Sequence, residues 1–195
     1  MDYSFFAFIY RLRWIDRWAL MRNSDNENLS EHSLEVAILS HALAIIGNKK
    51  LGKNLNAEKA ALFGIYHDAS EILTGDMPTP VKYFNPEIAK AYKDIEKTAC
   101  ERLLSLLPEY MQDSYSEAMM PSDNYSYEKK LVKGADKLSA YIKCITEKKA
   151  GNTEFASAEK TTLEAIHALE LEEVEIFIKD FLPSYSKTLD EIKLL

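Results

Sequence analysis

Apolar residues along most of this chain recur at intervals of three and four, the period of a helix with one face in a core. Leu131, Ala135, Leu138, Ile142 and Ile145 mark such a face and predict a helix over residues 127–149, closed by Gly151-Asn152. Leu34, Ala37, Ile38 and Ala44 mark another. Asn28 followed by Glu31 resembles a capping box at its start, and Gly47 is its candidate stop. The polar stretch NSDNENLS separates it from a first helical segment over residues 3–18. Asn56 is a candidate N-cap for a helix running through NAEKAALFGIYHDASEIL and ending by Gly75.

After it, GDMPTPVKYF carries Pro78 and Pro80 and reads as an irregular, stiff loop. Asn85-Pro86 looks like an N-cap with proline at the first helical position, and the helix it opens stops before Pro108. A shorter piece, PEYMQDSYSEAMM, leads to Pro121. The last third reads as a helix broken before Pro183, with a short terminal turn. No window of alternating β-branched residues competes, so the expected fold class is all-α.

Composition narrows the function. The 195 residues suit one domain, residues 1–195, and with 47% hydrophobic and 28% charged residues a sizeable core is expected rather than disorder. A net charge of −7 argues against a nucleic-acid polymer as partner, which needs a basic face. A small anionic substrate remains open if a metal or a few arginines supply local positive charge. Cys100 and Cys144 form no CxxC pattern and read as reduced core thiols. The N-terminal apolar run is about six residues before Arg11, short of a signal region (~7–15) or a membrane span (~20). A cytoplasmic location without membrane association is therefore expected.

Each of the four histidines can be weighed. His67 and Asp68 interrupt an apolar helical stretch, and on a helical wheel Glu71 lies one turn beyond His67 on the same side. An imidazole and a carboxylate there are costly unless something pairs with them. A divalent metal is one such partner; a backbone carbonyl for His67 and solvent for Asp68 is the alternative. His32 lies in the first turn of a predicted helix, and Asp136 borders the apolar stripe of the later one. The four make a His₂Asp₂ set, suited to Mn²⁺, Co²⁺, Fe²⁺ or Zn²⁺ and leaving positions open for water and a phosphate oxygen. His41 falls on the opposite side of its helix from His32 and is given a structural role. His167 lies in a glutamate-rich stretch and reads as surface. The EKKLVK and ELEEVE runs read as solvated helix faces, and Lys82 as a solvated lysine.

The order His32, His67-Asp68, Asp136 resembles the H…HD…D signature of the HD-domain phosphohydrolases. RWALMRN, ENLSEHSLEVA, YHDASEILTGDMPTPVKYF and VKGADKLSAYIKC together resemble, more narrowly, the bacterial 5′-deoxynucleotidases of the YfbR type, over essentially the whole chain. The resemblance implies an HD-type helical bundle that releases phosphate from deoxyribonucleoside 5′-monophosphates. It implies one divalent transition metal ion, Co²⁺ or Mn²⁺ favoured, on His32, His67, Asp68 and Asp136. It implies Glu71 and Arg17 as the catalytic pair, Arg17 gripping the phosphate and Glu71 positioning or deprotonating a water. Trp18 and the loop of Asp76, Met77, Pro78 and Thr79 would then surround the deoxyribose, with His32 and Asp136 also bordering the substrate. Little base preference and a homodimer are expected by the same analogy.

Two rivals stay open. One is an HD-type hydrolase of another nucleotide, cyclic or triphosphate, which would call for a cluster of cationic side chains. The other is a non-catalytic helical scaffold stapled by its metal, which has no use for Glu71 or Arg17.

Overall fold

A computed structural model describes residues 2–82 and 84–192. The order of helices is α1 (Phe5–Ile9), α2 (Leu29–Lys50), α3 (Ala57–Tyr66), α4 (Glu71–Thr74), α5 (Thr79–Lys82), α6 (Pro86–Ser105), α7 (Glu109–Met119), α8 (Ser126–Lys149), α9 (Ala156–His167) and α10 (Glu172–Asp180), and no strand is found among the described residues. The all-α expectation holds.

Helix α2 is the axis. The Asn28 side chain accepts from the amides of Ser30 (3.0 Å) and Glu31 (3.1 Å), and Glu31 returns a carboxylate to the Asn28 amide, the reciprocal cap that the sequence proposed. Around α2 pack α3, α8 and α10, so Val36, Leu39, Leu43, Ala44 and Ile46 are all buried. Neighbours on several sides explain why its apolar residues do not form one clean stripe. Leu34 and Ile38, read as part of the core face, are instead 61% exposed. By length and mean hydropathy (1.2) α2 could cross a membrane, but 56% of that stretch is buried in this fold, as in a core helix.

Gly47 does not stop α2. It lies inside the helix, where an added Cβ would meet Leu55 Cδ1 at 2.7 Å and Glu173 Oε1 at 2.8 Å. The helix runs on to Lys50, and the amides of Leu51 and Lys53 both return to the Gly47 carbonyl. Small size for close packing, not a turn, is the reason for glycine there.

Three further boundaries differ from expectation. The first segment is helical only to Trp14, its second half as a 3₁₀ turn, so Arg17 and Trp18 lie beyond it. The helix expected to reach Gly75 breaks at residues 67–70, where Ala69 N–H bonds Tyr66 O (3.1 Å) and Glu71 N–H bonds Asp68 O (3.0 Å) at three-residue spacing. Finally, the last third divides into α9 and α10 around Glu170, which has φ 51°.

Two apolar clusters result. The larger joins α2, α3, α8 and α10 through residues such as Leu43, Phe63, Leu138 and Val174. The smaller joins α1, α6 and α7 through Phe5, Cys100, Leu103 and Met119, and takes in Ala69. The turn at 67–70 thus leaves one cluster and enters the other. Both cysteines are buried and unpaired, as expected.

The charged runs read as solvated are not wholly so. Glu128 accepts from the Asn56 amide at 2.9 Å, and fully buried Glu173 accepts from Lys53 (2.7 Å) and Tyr127 (3.1 Å). Lys82 is also more than solvated: it pairs with Glu96 at 2.7 Å and lies over the Tyr92 ring.

At the crossing of α2 and α3, a Cβ on Gly64 would lie 2.7 Å from Ala37 Cα and 2.9 Å from Ala37 N, both backbone atoms that cannot give way. Gly64→Ala must therefore spread the two helices. A loss of about 1–3 kcal/mol is expected, a fall in Tm of about 2–12 °C by thermal denaturation. An unchanged Tm would show that the crossing is not tight.

Candidate active site

His32 projects from the first turn of α2 and is fully buried. His67 and Asp68 sit on the turn after α3, and Asp136 near the middle of α8. Helices α2, α3 and α8 pack mutually, and their junction brings the four side chains together. Asp136 Oδ1 lies 3.2 Å from His32 Nε2; Asp68 Oδ2 lies 3.0 Å from His67 Nε2 and 3.6 Å from His32 Nε2. One ligand atom each from His32, His67 and Asp68 falls within 4.8 Å of the others.

Hydrogen bonds behind the rings set which nitrogen faces the cluster. Gly64 O accepts from His67 Nδ1 at 2.8 Å. Ser139 donates its hydroxyl to Glu35 Oε2 at 2.6 Å, so its oxygen accepts from His32 Nδ1 at 3.0 Å. With both Nδ1 atoms as donors, both Nε2 lone pairs point inward, and neither has a hydrogen-bond partner although both are buried. Lone pairs aimed at carboxylate oxygens repel unless a cation lies among them. The donor set therefore fits a divalent metal. Without one, a proton is the substitute: burial lowers the affinity of His67 for it, but Asp68 foremost, then Asp136 and the Gly64 carbonyl, outweigh burial and raise the pKa to about 9. Asp136 is held well below the usual range because His32, His67 and Arg17 overcome its desolvation.

Glu71 is buried, not the exposed carboxylate that its sequence position allowed. The tightened turn bonds its amide to the Asp68 carbonyl at 3.0 Å, which takes it out of α-helical register with His67. Burial, with Asp68 and Asp76 nearby, pushes its pKa up to about 9 against the opposing pull of Lys82 and Arg17, and its Oε2 has no protein partner.

Arg17 and Trp18 arrive on an extended strip. Residues 15–17 lie antiparallel to 27–29 through a bridge between Asp16 and Asn28. Arg17 Nη1 donates to Glu27 Oε1 at 2.9 Å while Nη2 reaches within 4.0 Å of Asp136 Oδ1, which puts a guanidinium at the cluster's edge. Trp18, at φ 59°, packs on Phe155 and donates Nε1–H to Glu27 Oε2 at 3.3 Å. Asp76 is near both: Arg17 and the Trp18 backbone amide stabilise its charge, though burial outweighs them and raises its pKa. Met77 and Pro78 are half-buried and Thr79 is exposed at the start of α5. No hydrogen bond ties these three side chains to the cluster among the described residues. His41 is exposed on the far side of α2, and His167 is exposed and bonded to Glu175, so neither joins the centre.

Sequence reasoning missed several contributors. Glu35 and Ser139 each follow a cluster residue by three positions on its own helix, a spacing that could have revealed them. Glu27 sat in a stretch read only as a polar loop. A cavity of about 600 Å³, lined by Phe63, His67, Lys93, Lys97, Met119 and Lys129 among others, shares only His67 with the cluster among the described residues.

The strip's far end is latched to α8. Buried Glu147 accepts from the amides of Ser24 (2.8 Å) and Asp25 (3.3 Å), from Lys143 (2.6 Å) and from Asn152 (2.7 Å), while Asn152 also donates to Arg22 O. Burial alone would raise the Glu147 carboxyl; Lys143, Asn152 and the Ser24 amide hold it at about 2. Because the folded value is depressed, the latch stabilises fully above the unfolded value near 4.3, and that stability is lost as pH falls towards 2. Tm measured from pH 6 to pH 2 should fall less steeply over that window for Glu147→Gln, which starts lower. Parallel curves would show that Glu147 does not hold the strip.

The family model described as 5′-deoxynucleotidase YfbR-like matches residues 4–185. The chain is 54% identical over 192 residues to the 5′-deoxynucleotidase YfbR of Escherichia coli O127:H6, covering 96% of this chain and 94% of that one. It is 50% identical to a 5′-deoxynucleotidase of Vibrio parahaemolyticus serotype O3:K6, covering 96% and 97%. Among solved structures, an HD-domain phosphohydrolase from Listeria innocua superposes with a TM-score of 0.81 at 23% identity, covering 93% of this chain and 88% of that one. A cyanophage S-2L HD phosphohydrolase, bound to dA and one catalytic Zn²⁺ ion, gives 0.67 at 20% identity, covering 93% and 96%. At such identities the two structures speak for the fold alone.

Proposed function

Because the chain belongs to the 5′-deoxynucleotidase YfbR-like family, we propose that it hydrolyses deoxyribonucleoside 5′-monophosphates to deoxyribonucleoside and phosphate, as a single catalytic domain over residues 1–195. The observation that carries the reading is the pair of buried, unpartnered Nε2 atoms of His32 and His67, converging with two carboxylates beside Arg17.

In this reading His32, His67, Asp68 and Asp136 hold one divalent ion, Co²⁺ or Mn²⁺ favoured, and the Zn²⁺ in the cyanophage protein supports a divalent ion in this fold. When bound, it polarises the phosphoryl oxygens and acidifies a water. Arg17 grips the phosphate with a guanidinium already aimed at Asp136. Glu71, with a free Oε2, takes the proton from the attacking water. With the fields of Asp68 and Asp76 offset by a cation, its carboxyl moves down from about 9 towards the range suited to that transfer. Trp18 and Asp76 enclose the deoxyribose, Asp76 accepting from the 3′-hydroxyl. A 2′-hydroxyl there would be crowded and left unpaired, the source of selection against ribonucleotides. Met77, Pro78 and Thr79 complete the sugar loop, and no side chain in the set reads a base edge.

A homodimer in the cytoplasm completes the reading. Exposed Leu34, Ile38 and Ile45 along α2 support a covered face, and a second copy is the occupant proposed. A second substrate reading, a nucleotide with more phosphates, draws on Lys93, Lys97 and Lys129 around the adjoining cavity.

Phosphate release from dAMP, AMP and dATP by chelator-stripped protein re-supplied with Co²⁺ or Mn²⁺ separates these readings. Turnover of dAMP well above AMP is expected, with loss of at least about a thousandfold in Asp68→Ala. Equal turnover of AMP would discard the roles of Trp18 and Asp76. Preference for dATP would favour the second substrate reading, and metal-independent turnover would remove the ion from the mechanism.

A further inference from the structure

Glu27 touches three functional elements with one side chain. Its Oε1 accepts from Arg17 Nη1 at 2.9 Å and lies 3.4 Å from His32 Nδ1, and its Oε2 accepts from Trp18 Nε1 at 3.3 Å. Its carbonyl accepts from the Arg17 amide at 2.9 Å, and the Leu29 amide donates to Ile15 O at 3.0 Å, so the bridge between strips sets Glu27 opposite Arg17. The next residue, Asn28, caps α2, on whose first turn His32 sits. Backbone and side chain therefore place the same residue between the substrate strip and the buried imidazole.

Burial opposes a carboxylate here, but His32 and Arg17 outweigh it and hold the Glu27 carboxyl below its usual range. Glu35, Asp68, Asp76 and Asp136 already crowd the region with negative charge, and Glu27 is itself largely buried. Trp18 has a left-handed backbone that a non-glycine residue adopts only when its surroundings hold it. Its indole is held by Phe155 on one side and Glu27 on the other. An isosteric neutral residue would keep the shape and relieve the charge, but would lose the charge-assisted grip on Arg17 and the indole.

We propose that Glu27 is the positioning residue that locks the Arg17–Trp18 strip in register with His32. It acts through Arg17 and Trp18 and from behind the His32 ring, and it touches no reacting atom. The inference rests on the roles of Arg17, Trp18 and His32 proposed above.

Glu27→Gln tests it. The variant should keep Tm within a few degrees of the parent. KM for dAMP should rise about tenfold or more, with kcat changed less than about threefold, as expected for a lost hydrogen bond to a charged group. In an Arg17→Ala background the same change should add less than about twofold. Two readouts need no turnover. In a Trp14→Phe background the Trp18 emission of metal-free protein should shift to the red, and the affinity of stripped protein for Mn²⁺, by calorimetry, should fall about tenfold. An unchanged emission, an unchanged KM, or full additivity with Arg17→Ala overturns the proposal. If the parent does not turn over dAMP, the proposed function fails, and emission with Mn²⁺ calorimetry still decides the role of Glu27. Should Glu27→Gln fold poorly, Glu27→Asp, which keeps the charge but falls short of the indole, is read by the same measurements.

Discussion

Helices α2 and α3 touch backbone to backbone where Gly64 faces Ala37, and the position of the candidate centre follows from that contact. Side chains at a crossing usually hold helix axes some 8–10 Å apart. Without a Cβ on Gly64 the axes come closer, and His67, one turn after the glycine, reaches His32, little more than one turn before the alanine. Their rings stand 5.2 Å apart. Gly64 acts a second time, because its carbonyl receives Nδ1–H of His67 and turns Nε2 inward. One residue thus sets both the distance between the imidazoles and the orientation of one of them.

A concentration of charge at the helix junction has to be offset locally. His32, His67, Asp68, Glu71 and Asp136 interrupt the packing between two apolar clusters, in a region where an unpaired charge is costly. Their pKa values register the strain: His67 and Glu71 rise, Asp68 and Asp136 fall. A fold built for stability alone would fill that junction with leucine. The apolar clusters on either side supply rigidity, and the centre uses it to hold like charges close together.

A second device joins the centre to a segment outside the helical core. The strip carrying Arg17 and Trp18 has few apolar anchors of its own; it is registered by the bridge at Asp16 and Asn28, clasped by Glu27 and latched by Glu147 with Lys143 and Asn152. Polar groups can do this because each finds several partners, so burial does not leave them unsatisfied. Along α8, Asp136, Ser139, Lys143 and Glu147 occur at three- and four-residue steps, so one helix face serves cluster, imidazole and strip in turn.

The sequence by itself determined the helical class, the α2 cap, the bounds of α6 and α8 and the His₂Asp₂ set, because each is encoded locally in a period, a cap or a motif. Resemblance to a family added Arg17, Trp18 and Asp76, which no local pattern singles out, and gave a role to Glu71, which the helical wheel had only placed beside His67. Tertiary structure decided what depends on neighbours distant in the chain. It decided that Gly47 is a spacer rather than a stop and that Gly64 is a spacer too, since only a second helix makes a missing Cβ useful. It decided that Leu34 and Ile38 face outward, since a helix packed on several sides has no single apolar stripe. The break of the helix at His67 was hidden because YHDASEIL carries no proline or glycine to announce it, and the turn tightens under packing between two clusters. Glu27 and Glu147 were illegible for the same reason, whereas Glu35 and Ser139 carried a signal in their helical spacing from His32 and Asp136. A carboxylate or hydroxyl in a polar stretch acquires a role only when the fold brings it a partner.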